Sequence, residues 1–302
     1  MHNMNFESFS EMVRGDLERQ LEGTKVNVRD VTKNNGLTLK GLTFLKEGEQ
    51  ISPVIYLERF HKEYLYGKTL EEIESEIITF YEENRNCTFS QLDIDAVTDF
   101  DKMRDSVRFR IINYDKNIER YKESPHRKLL DLMCIYYIDC GTGNNGGGQG
   151  CIVINKAIFS VWNITENELW ETALSNMVKY ETASFASMED VIKEIIGDES
   201  FTDAQEFTNP MCIVSNKSKL YGASVMFYPD CMERIKEYFK SDFYILPSSV
   251  HEIIVIPKDE RIQEQALHEM VREVNSTRVA PDEVLSDNVY KYEGSVLKLV
   301  AA

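Results

Sequence analysis

The sequence lacks any long hydrophobic run. No segment approaches the ~18 consecutive apolar residues that a membrane-spanning helix needs. The opening stretch from Met1 to Glu7 also lacks a basic region followed by an apolar one, which is the pattern of a secretory signal. The sequence therefore predicts no membrane association and a cytoplasmic location.

Paired cysteine motifs are absent as well. None of the six cysteines forms a C-x-x-C pair; they are Cys87, Cys134, Cys140, Cys151, Cys212 and Cys231. Cysteines of a protein without an export signal stay reduced, and a thiol inside an apolar run behaves as a small hydrophobe. We therefore expect six reduced structural thiols rather than a zinc or redox centre.

Positive charge is scarce, with 34 Lys and Arg against 51 Asp and Glu and a formal net charge of −17. This balance disfavours binding to nucleic acids or anionic membranes. Eleven acids and two lysines lie between Glu166 and Glu206. Such a run is usually a solvated face. The alternative is a surface that binds a basic protein partner, and its predicted contact residues are Glu189, Glu194, Asp198 and Glu199.

Recognisable cofactor and metal motifs are also missing. The glycine-rich stretch from Gly141 to Gly146 matches G-x-G-x-x-G, but more glycines and a strand follow it instead of the helix that a dinucleotide site requires. The acidic group from Asp93 to Asp105 lacks the glycine of a calcium loop. The sequence predicts a loop between two strands at the first position, and it predicts no cofactor and no metal site.

One short segment brings several reactive side chains together. Ser248, Ser249, His251 and Glu252 supply two hydroxyls, an imidazole and a carboxylate. Neither a G-x-S-x-G elbow nor an H-E-x-x-H motif is present. If the chain is an enzyme, the catalytic candidates are Ser249, His251 and Glu252. The alternative interpretation is a histidine that a backbone group or a carboxylate holds in place.

This segment lies inside the densest apolar part of the chain. Phe243–Leu246 and Ile253–Ile256 are short runs of β-branched and aromatic residues, which is typical of buried strands. The Leu246-Pro247-Ser248-Ser249 corner separates them. We expect this pair of strands to anchor the fold.

Local signals predict the other elements. They indicate a hairpin at Asn34-Asn35-Gly36, a helix opened by Ser52-Pro53, and capping boxes at Thr69 and Thr165. In the helix after Thr69 the predicted buried residues are Leu70, Ile73, Ile77 and Phe80. Further signals indicate a helix capped by Ser187, strands at Leu129–Ile138 and Tyr221–Phe227, and a final hairpin around Gly294. Helices and hairpins alternate, which favours an α+β fold with mostly antiparallel or mixed sheets and flanking helices in two lobes. The predicted division is an N-terminal lobe at 1–86, a polar connector at 87–105 and a larger α+β lobe at 106–302.

Several stretches together carry a resemblance. They are Val31 to Gly36, Ile51 to Leu57, Ile111 to Asn113, Leu246 to Glu252 and Leu285 to Tyr290. In these stretches the chain resembles a domain-of-unknown-function family of gut-type Gram-positive anaerobes, often carried by mobile elements. The spacing of Trp162, Leu169, Ala173 and Asn176, with the Pro247 corner and the Leu285-Ser286-Asp287 end, is distantly similar to a second widespread bacterial family of unknown function. The resemblance implies bacterial origin and supplies no catalytic residue.

Two functions of different classes follow from these observations. The first is a non-catalytic, acidic interaction or regulatory protein of a mobile element or phage, with a macromolecular partner that is basic or itself binds nucleic acid. In one form it is an inhibitor that imitates nucleic-acid charge. The second is a metal-dependent or Ser/His-based hydrolase-type enzyme of unknown substrate.

Overall fold

A computed structural model describes most of the chain; the described residues are 4–46, 53–84, 94–142, 149–188 and 211–301. The chain divides into two compact units, one formed by residues 1–97 and 139–152 and the other by 98–138 and 153–302. The lobe boundaries expected from the sequence stay a prediction.

The N-terminal elements form a small antiparallel sheet with three helices. They are α1 (Phe6–Gln20), β1 (Thr24–Thr32), β2 (Thr38–Lys46), β3 (Val54–Tyr56), α2 (Leu57–Leu65) and α3 (Leu70–Asn84). The strand order is β1-β2-β3. Apolar side chains from all six elements share one core, which includes Phe9, Leu42 and Ile77.

The predicted hairpin between β1 and β2 is confirmed. The nine residues of β1 pair with those of β2, from Thr24 opposite Lys46 to Thr32 opposite Thr38. Asn35 and Gly36 take φ values of 57° and 74°. Asparagine and glycine are the residues that tolerate this left-handed conformation best, so the turn residues fix the register.

Two expectations for this region are wrong. Residues 54–56 form a strand rather than the first turn of a helix, because Ile55 pairs with Leu42 and is buried by that pairing. The helix starts only at Leu57. On α3 the buried aromatic residue is Tyr81, which stacks on Phe44 at a centroid distance of 4.3 Å, whereas the predicted Phe80 is exposed.

Beyond α3 the chain forms two larger sheets and six more helices within the described residues. These elements are α4 (Phe100–Met103), β4 (Val107–Asn113), α5 (Tyr114–Tyr121), β5 (His126–Leu129), β6 (Leu132–Thr142), β7 (Gln149–Val153), α6 (Lys156–Trp162), α7 (Glu166–Tyr180), β8 (Ala183–Ser187), β9 (Cys212–Asn216), α8 (Cys231–Phe239), β10 (Phe243–Leu246), β11 (Ile253–Pro257), α9 (Glu264–Thr277), β12 (Tyr290–Glu293) and β13 (Val296–Leu299). Short 3-10 helices lie at Ile94–Thr98, Arg104–Ser106 and Gly222–Phe227.

The larger sheet has the predicted anchor strands at its centre. Its order is β13-β12-β10-β11-β9-β8, and its neighbouring strands are antiparallel. Ile245 pairs with Val255, and both are fully buried. The other sheet has the order β4-β6-β5, with β7 also paired to β6. The fold is therefore α+β with antiparallel sheets, as the sequence predicts.

Two local predictions in this region are wrong. The predicted strand at Tyr221–Phe227 is a 3-10 helix over Gly222–Phe227, and a turn at Leu130 divides Leu129–Ile138 into β5 and β6. Ser187 ends β8 and directly precedes a helical residue, Met188, and the rest of the helix that Ser187 is predicted to cap lies outside the described residues. Val225 and Met226 are buried in the 3-10 helix, so the apolar run correctly predicts that the segment is buried and wrongly predicts that it is a strand. Short apolar runs do not distinguish a strand from a buried helical turn.

Candidate functional site

His251 lies in the corner between β10 and β11, and both of its ring nitrogens face specific groups. The Tyr221 backbone N–H donates to Nδ1 at 3.2 Å. Nε2 lies 3.6 Å from a carboxylate oxygen of Glu283. An accepting Nδ1 leaves the proton of the neutral ring on Nε2, so the imidazole N–H points toward the Glu283 carboxylate.

An aromatic and cationic group covers the ring of His251. Tyr221 stacks on the imidazole at a centroid distance of 5.6 Å, and the Arg110 guanidinium lies 4.5 Å from the Tyr221 ring centroid. Tyr221 has a φ of 54°. A non-glycine residue held in this conformation costs free energy and persists only where the surrounding structure fixes it.

Close backbone packing at Gly222 holds the neighbouring Tyr221 in this conformation. A Cβ atom at Gly222 would lie 2.5 Å from the carbonyl oxygen of His251 and 2.7 Å from the backbone nitrogen of Asn216. The same carbonyl accepts a hydrogen bond from Ser215 Oγ at 2.7 Å. The backbones of β9, the 3-10 helix and the His251 corner therefore meet at a point where no side chain fits.

The three catalytic candidates are neighbours, but their functional groups are used differently. Ser249 Oγ accepts a hydrogen bond from the His251 backbone N–H at 3.0 Å, and the Ser249 N–H donates to the Glu252 carbonyl. The imidazole nitrogens of His251 face Tyr221 and Glu283. The corner is held by backbone and ring contacts, and the catalytic assignment of these three residues stays a prediction.

The predicted acidic contact residues cannot be placed. Glu189, Glu194, Asp198 and Glu199 lie outside the described residues, as do Asp93 and the central part of the glycine-rich stretch, 143–148. The acids of the same stretch that are described have local roles. Glu168 forms the predicted capping box with Thr165, and Glu181 accepts from the Ser218 N–H at 3.3 Å.

Glu166, at the start of α7, joins a partly buried ion pair. Arg127 donates to both of its carboxylate oxygens, at 3.1 and 2.7 Å, and the Tyr136 hydroxyl donates to one of them. Partial burial raises the pKa of Glu166, but the hydrogen bonds from Arg127 and Tyr136 outweigh burial and hold this pKa below its usual value. The Arg127 guanidinium also lies 4.8 Å from the Trp170 ring centroid.

Asp131, in the turn between β5 and β6, accepts three side-chain hydrogen bonds. The donors are Ser286 Oγ at 2.6 Å, Asn288 Nδ2 at 3.0 Å and the Tyr290 hydroxyl at 2.8 Å. Burial and then the Asp131 charge raise the pKa of Tyr290 far above its usual value. No sequence motif indicated this hub, because its members lie about 150 residues apart.

A pocket with a mainly apolar lining lies beside β8. Its volume is about 190 Å³; the lining residues are Ala183, Ser184, Phe185, Val214, Cys231, Arg234, Ile235 and Tyr238. The floor comes from buried side chains of β9 and α8, and Phe185 and Tyr238 meet edge to face at 4.9 Å on the exposed side. The pocket therefore lies between α8 and the edge of the sheet.

Cys231 and Arg234, both on α8, give this pocket its chemical character. Burial raises the pKa of the Cys231 thiol to about 11, so this thiol is neutral near pH 7 and contributes an apolar wall. The Arg234 side chain is exposed and forms no ion pair with any residue in the described ranges. Arg234 thus places a positive charge beside an apolar pocket in a chain whose net charge is −17.

The described ranges contain neither a metal-ligand cluster nor a membrane-spanning helix. No group of three or more His, Cys, Asp or Glu side chains there is arranged to hold a metal ion. Among the helices of those ranges, none has both the length and the apolar composition of a membrane span.

Comparison with known proteins gives one match. Neither the curated proteins nor the solved structures contain a match to this chain. Residues 6–294 match the model of a family of unknown function, DUF5688. This match covers almost the whole sequence, both units and every site described above. The chain belongs to the DUF5688 family of unknown function.

Proposed function

We propose that this protein is a non-catalytic binding protein that takes an extended segment of a partner protein onto the edge of β8. The observation that carries the proposal is the pocket of about 190 Å³ that opens beside this edge strand. Addition of a peptide strand to an exposed sheet edge is a common recognition mode, in which the backbone supplies affinity and side-chain pockets supply specificity.

The sequence of β8 supports this proposal. Soluble proteins usually protect a sheet edge with a charged residue or a proline on the edge strand. β8 reads Ala-Ser-Phe-Ala-Ser and has neither. The opposite edge strand, β13, carries Lys298, whose Nζ lies 3.5 Å from a carboxylate oxygen of Glu293. Within the described residues, β8 is therefore the edge strand of the larger sheet that has neither a charged residue nor a proline.

A selection of peptides tests the proposal. A phage-displayed library of random ten-residue peptides is selected on the wild-type protein and on Ala183→Trp, whose indole would fill the pocket. Val296→Trp, at an exposed position on β13, is the matched control. We expect enriched peptides that bind wild type and Val296→Trp and lose at least tenfold in affinity for Ala183→Trp. Enriched peptides that bind all three proteins equally would contradict the proposal.

The proposal also includes the predicted acidic surface. We propose that the partner is a basic or nucleic-acid-binding protein of a mobile element or phage. This partner binds the acidic stretch from Glu166 to Glu206. An inhibitor that imitates nucleic-acid charge is one form of this function. Charge reversal of Glu189, Glu194 and Glu199 is expected to weaken binding, and salt is expected to weaken it further. Unchanged binding would remove this surface from the proposal.

The second candidate is a hydrolase-type enzyme, metal-dependent or using Ser249, His251 and Glu252. It is favoured by the fixed His251 ring facing Glu283 and by the strained conformation of Tyr221. A melting panel of divalent metals and nucleotides tests it, because a ligand at 100 times its Kd adds about 2.7 kcal/mol of stability. A stabilising ligand whose effect His251→Gln abolishes would support this candidate. A flat panel would count against it.

A further inference from the structure

We propose that the pocket beside β8 recognises a particular peptide pattern: a bulky apolar residue with an Asp or Glu two positions away. The apolar side chain fills the pocket and the carboxylate pairs with Arg234. This inference rests on the proposed function, since it names the class of partner segment that the β8 edge binds.

The size and lining of the pocket determine the first element of the pattern. A cavity of about 150 Å³ lined by apolar side chains holds one benzene-sized group. The pocket, at about 190 Å³, has room for one Leu, Ile, Met or Phe side chain. Val214 and Ile235 are buried in its floor, and Cys231 is neutral, so no charged group of a partner is favoured inside.

The charge beside the pocket determines the second element. Arg234 borders the pocket, is exposed and has no ion-pair partner in the described part of the chain. A guanidinium binds a carboxylate through two parallel hydrogen bonds, which gives the contact directional specificity. A partner segment that brings a carboxylate to this position therefore gains affinity that a neutral or basic side chain does not supply.

The geometry of a strand determines the spacing. Side chains alternate between the two faces of a strand, with a rise of about 3.3 Å per residue. Arg234 and the apolar lining belong to the same pocket, on the α8 side of the sheet. An apolar residue and an acid that contact both must therefore point to one face of the added strand. Residues i and i+2 do so, and residues i and i+1 do not.

Two fluorescein-labelled peptides of identical composition test this pattern by fluorescence anisotropy. The first is Lys-Thr-Leu-Thr-Glu-Thr-Lys, with Leu and Glu two positions apart. The second is Lys-Thr-Leu-Glu-Thr-Thr-Lys, in which the Glu moves to the opposite face. Both have the same net charge, so the charge of the whole protein affects them equally. We expect the first peptide to bind about fivefold more tightly, which corresponds to about 1 kcal/mol.

Arg234 variants test the source of this difference. In Arg234→Gln the two peptides should bind equally, and Ala183→Trp should weaken both. Lys240→Gln, at the end of the same helix, is the control for loss of one positive charge and should keep the fivefold preference. Equal affinities for the wild-type protein, or a preference that survives in Arg234→Gln, would overturn the inference.

Other occupants of the pocket are distinct outcomes of the same experiments. Octanoate that stabilises the protein while neither peptide binds would assign the pocket to a small amphiphile and overturn the inference. A wild-type dimer that Ala183→Trp converts to a monomer would assign the edge to a second copy, with the same consequence. Library peptides that depend on Ala183 but lack the two-residue spacing would overturn this inference and leave the proposed function standing.

Discussion

At the scale of single residues, Gly222 has the least tolerant environment among the described glycines. Its missing Cβ lets Ser215, Asn216 and the His251 carbonyl approach one another. We expect Gly222→Ala to lower the free energy of unfolding by about 3 kcal/mol, because the new Cβ overlaps backbone atoms that cannot move independently. Urea denaturation measures this change.

Gly15 provides the matched control for this substitution. It lies inside α1, and a Cβ there would meet no atom within 4 Å. Alanine favours a helix over glycine by about 1 kcal/mol, so Gly15→Ala should stabilise the protein. A Gly222→Ala protein as stable as wild type would show that the three segments do not pack as described.

The Glu166 ion pair gives a prediction with a defined pH dependence. The pKa of Glu166 is lower in the folded protein than its usual value near 4.3. The charged carboxylate therefore contributes its full stabilisation above about pH 4.3, and this stabilisation is lost as the pH falls through the lowered pKa. Glu166→Gln should cost about 1–2 kcal/mol at pH 7, because the hydrogen bonds from Arg127 lose their charged acceptor. The cost should shrink below about pH 4.

Glu171→Gln is the control, because Glu171 lies on the same helix, is exposed and, within the described residues, accepts a single long side-chain hydrogen bond, from Asn167 at 3.3 Å. It should change stability by less than about 0.5 kcal/mol at either pH. A Glu166→Gln cost that is the same at pH 3 and pH 7 would contradict the assigned charge state.

His268 is a buried polar residue on α9. It is 1% exposed, and neither ring nitrogen has a hydrogen-bond partner in the described part of the protein. A buried polar group without a partner costs about 1–3 kcal/mol, so His268→Met should raise the free energy of unfolding by about 1 kcal/mol. Thermal and urea denaturation measure it. A loss of stability would show that the imidazole of His268 forms a stabilising contact.

At the scale of elements, the sequence predicts those structures that local chemistry determines. The Asn35-Gly36 turn and the Thr165 capping box form as expected, because the residues that define them are within three positions of one another. Strand β3 and the 3-10 helix at 222–227 are not predicted. Pairing with β2 and contact with His251 determine these two segments, and a local pattern does not contain that information.

The Asp131 hub is an element-scale contact that can be tested directly. The Asp131 carboxylate accepts hydrogen bonds from Ser286, Asn288 and Tyr290, and these bonds connect the turn after β5 to the start of β12. Asp131→Ala leaves three donors without an acceptor, including the fully buried Tyr290, and should cost about 3 kcal/mol. Urea denaturation followed by fluorescence measures the loss.

Asp287→Ala is the control for Asp131→Ala, since Asp287 is exposed, accepts one side-chain hydrogen bond from Asn275 and lies 4.0 Å from Lys116 Nζ in an exposed ion pair. Its cost should stay below about 1 kcal/mol. Equal costs for the two substitutions would show that Asp131 is an ordinary surface carboxylate.

At the scale of the whole molecule, the larger sheet brings together residues that the sequence keeps apart. The pocket needs Phe185 from β8 and Tyr238 from α8, which lie about fifty positions apart and meet at 4.9 Å. Both look like ordinary aromatic residues in the sequence. The catalytic candidates Ser249, His251 and Glu252, by contrast, stand out in the sequence because they lie within four positions. In the structure the imidazole of His251 faces Tyr221 and Glu283, and the Ser249 hydroxyl accepts from the His251 backbone.

Hydrogen–deuterium exchange of the backbone amides tests whether a partner strand adds to β8. The protein is compared with and without a saturating amount of the peptide Lys-Thr-Leu-Thr-Glu-Thr-Lys. We expect slower exchange in residues 183–187, because the added strand supplies acceptors to amides of the edge, and no change in β13 at the opposite edge. Protection elsewhere, with β8 unchanged, would contradict this proposal.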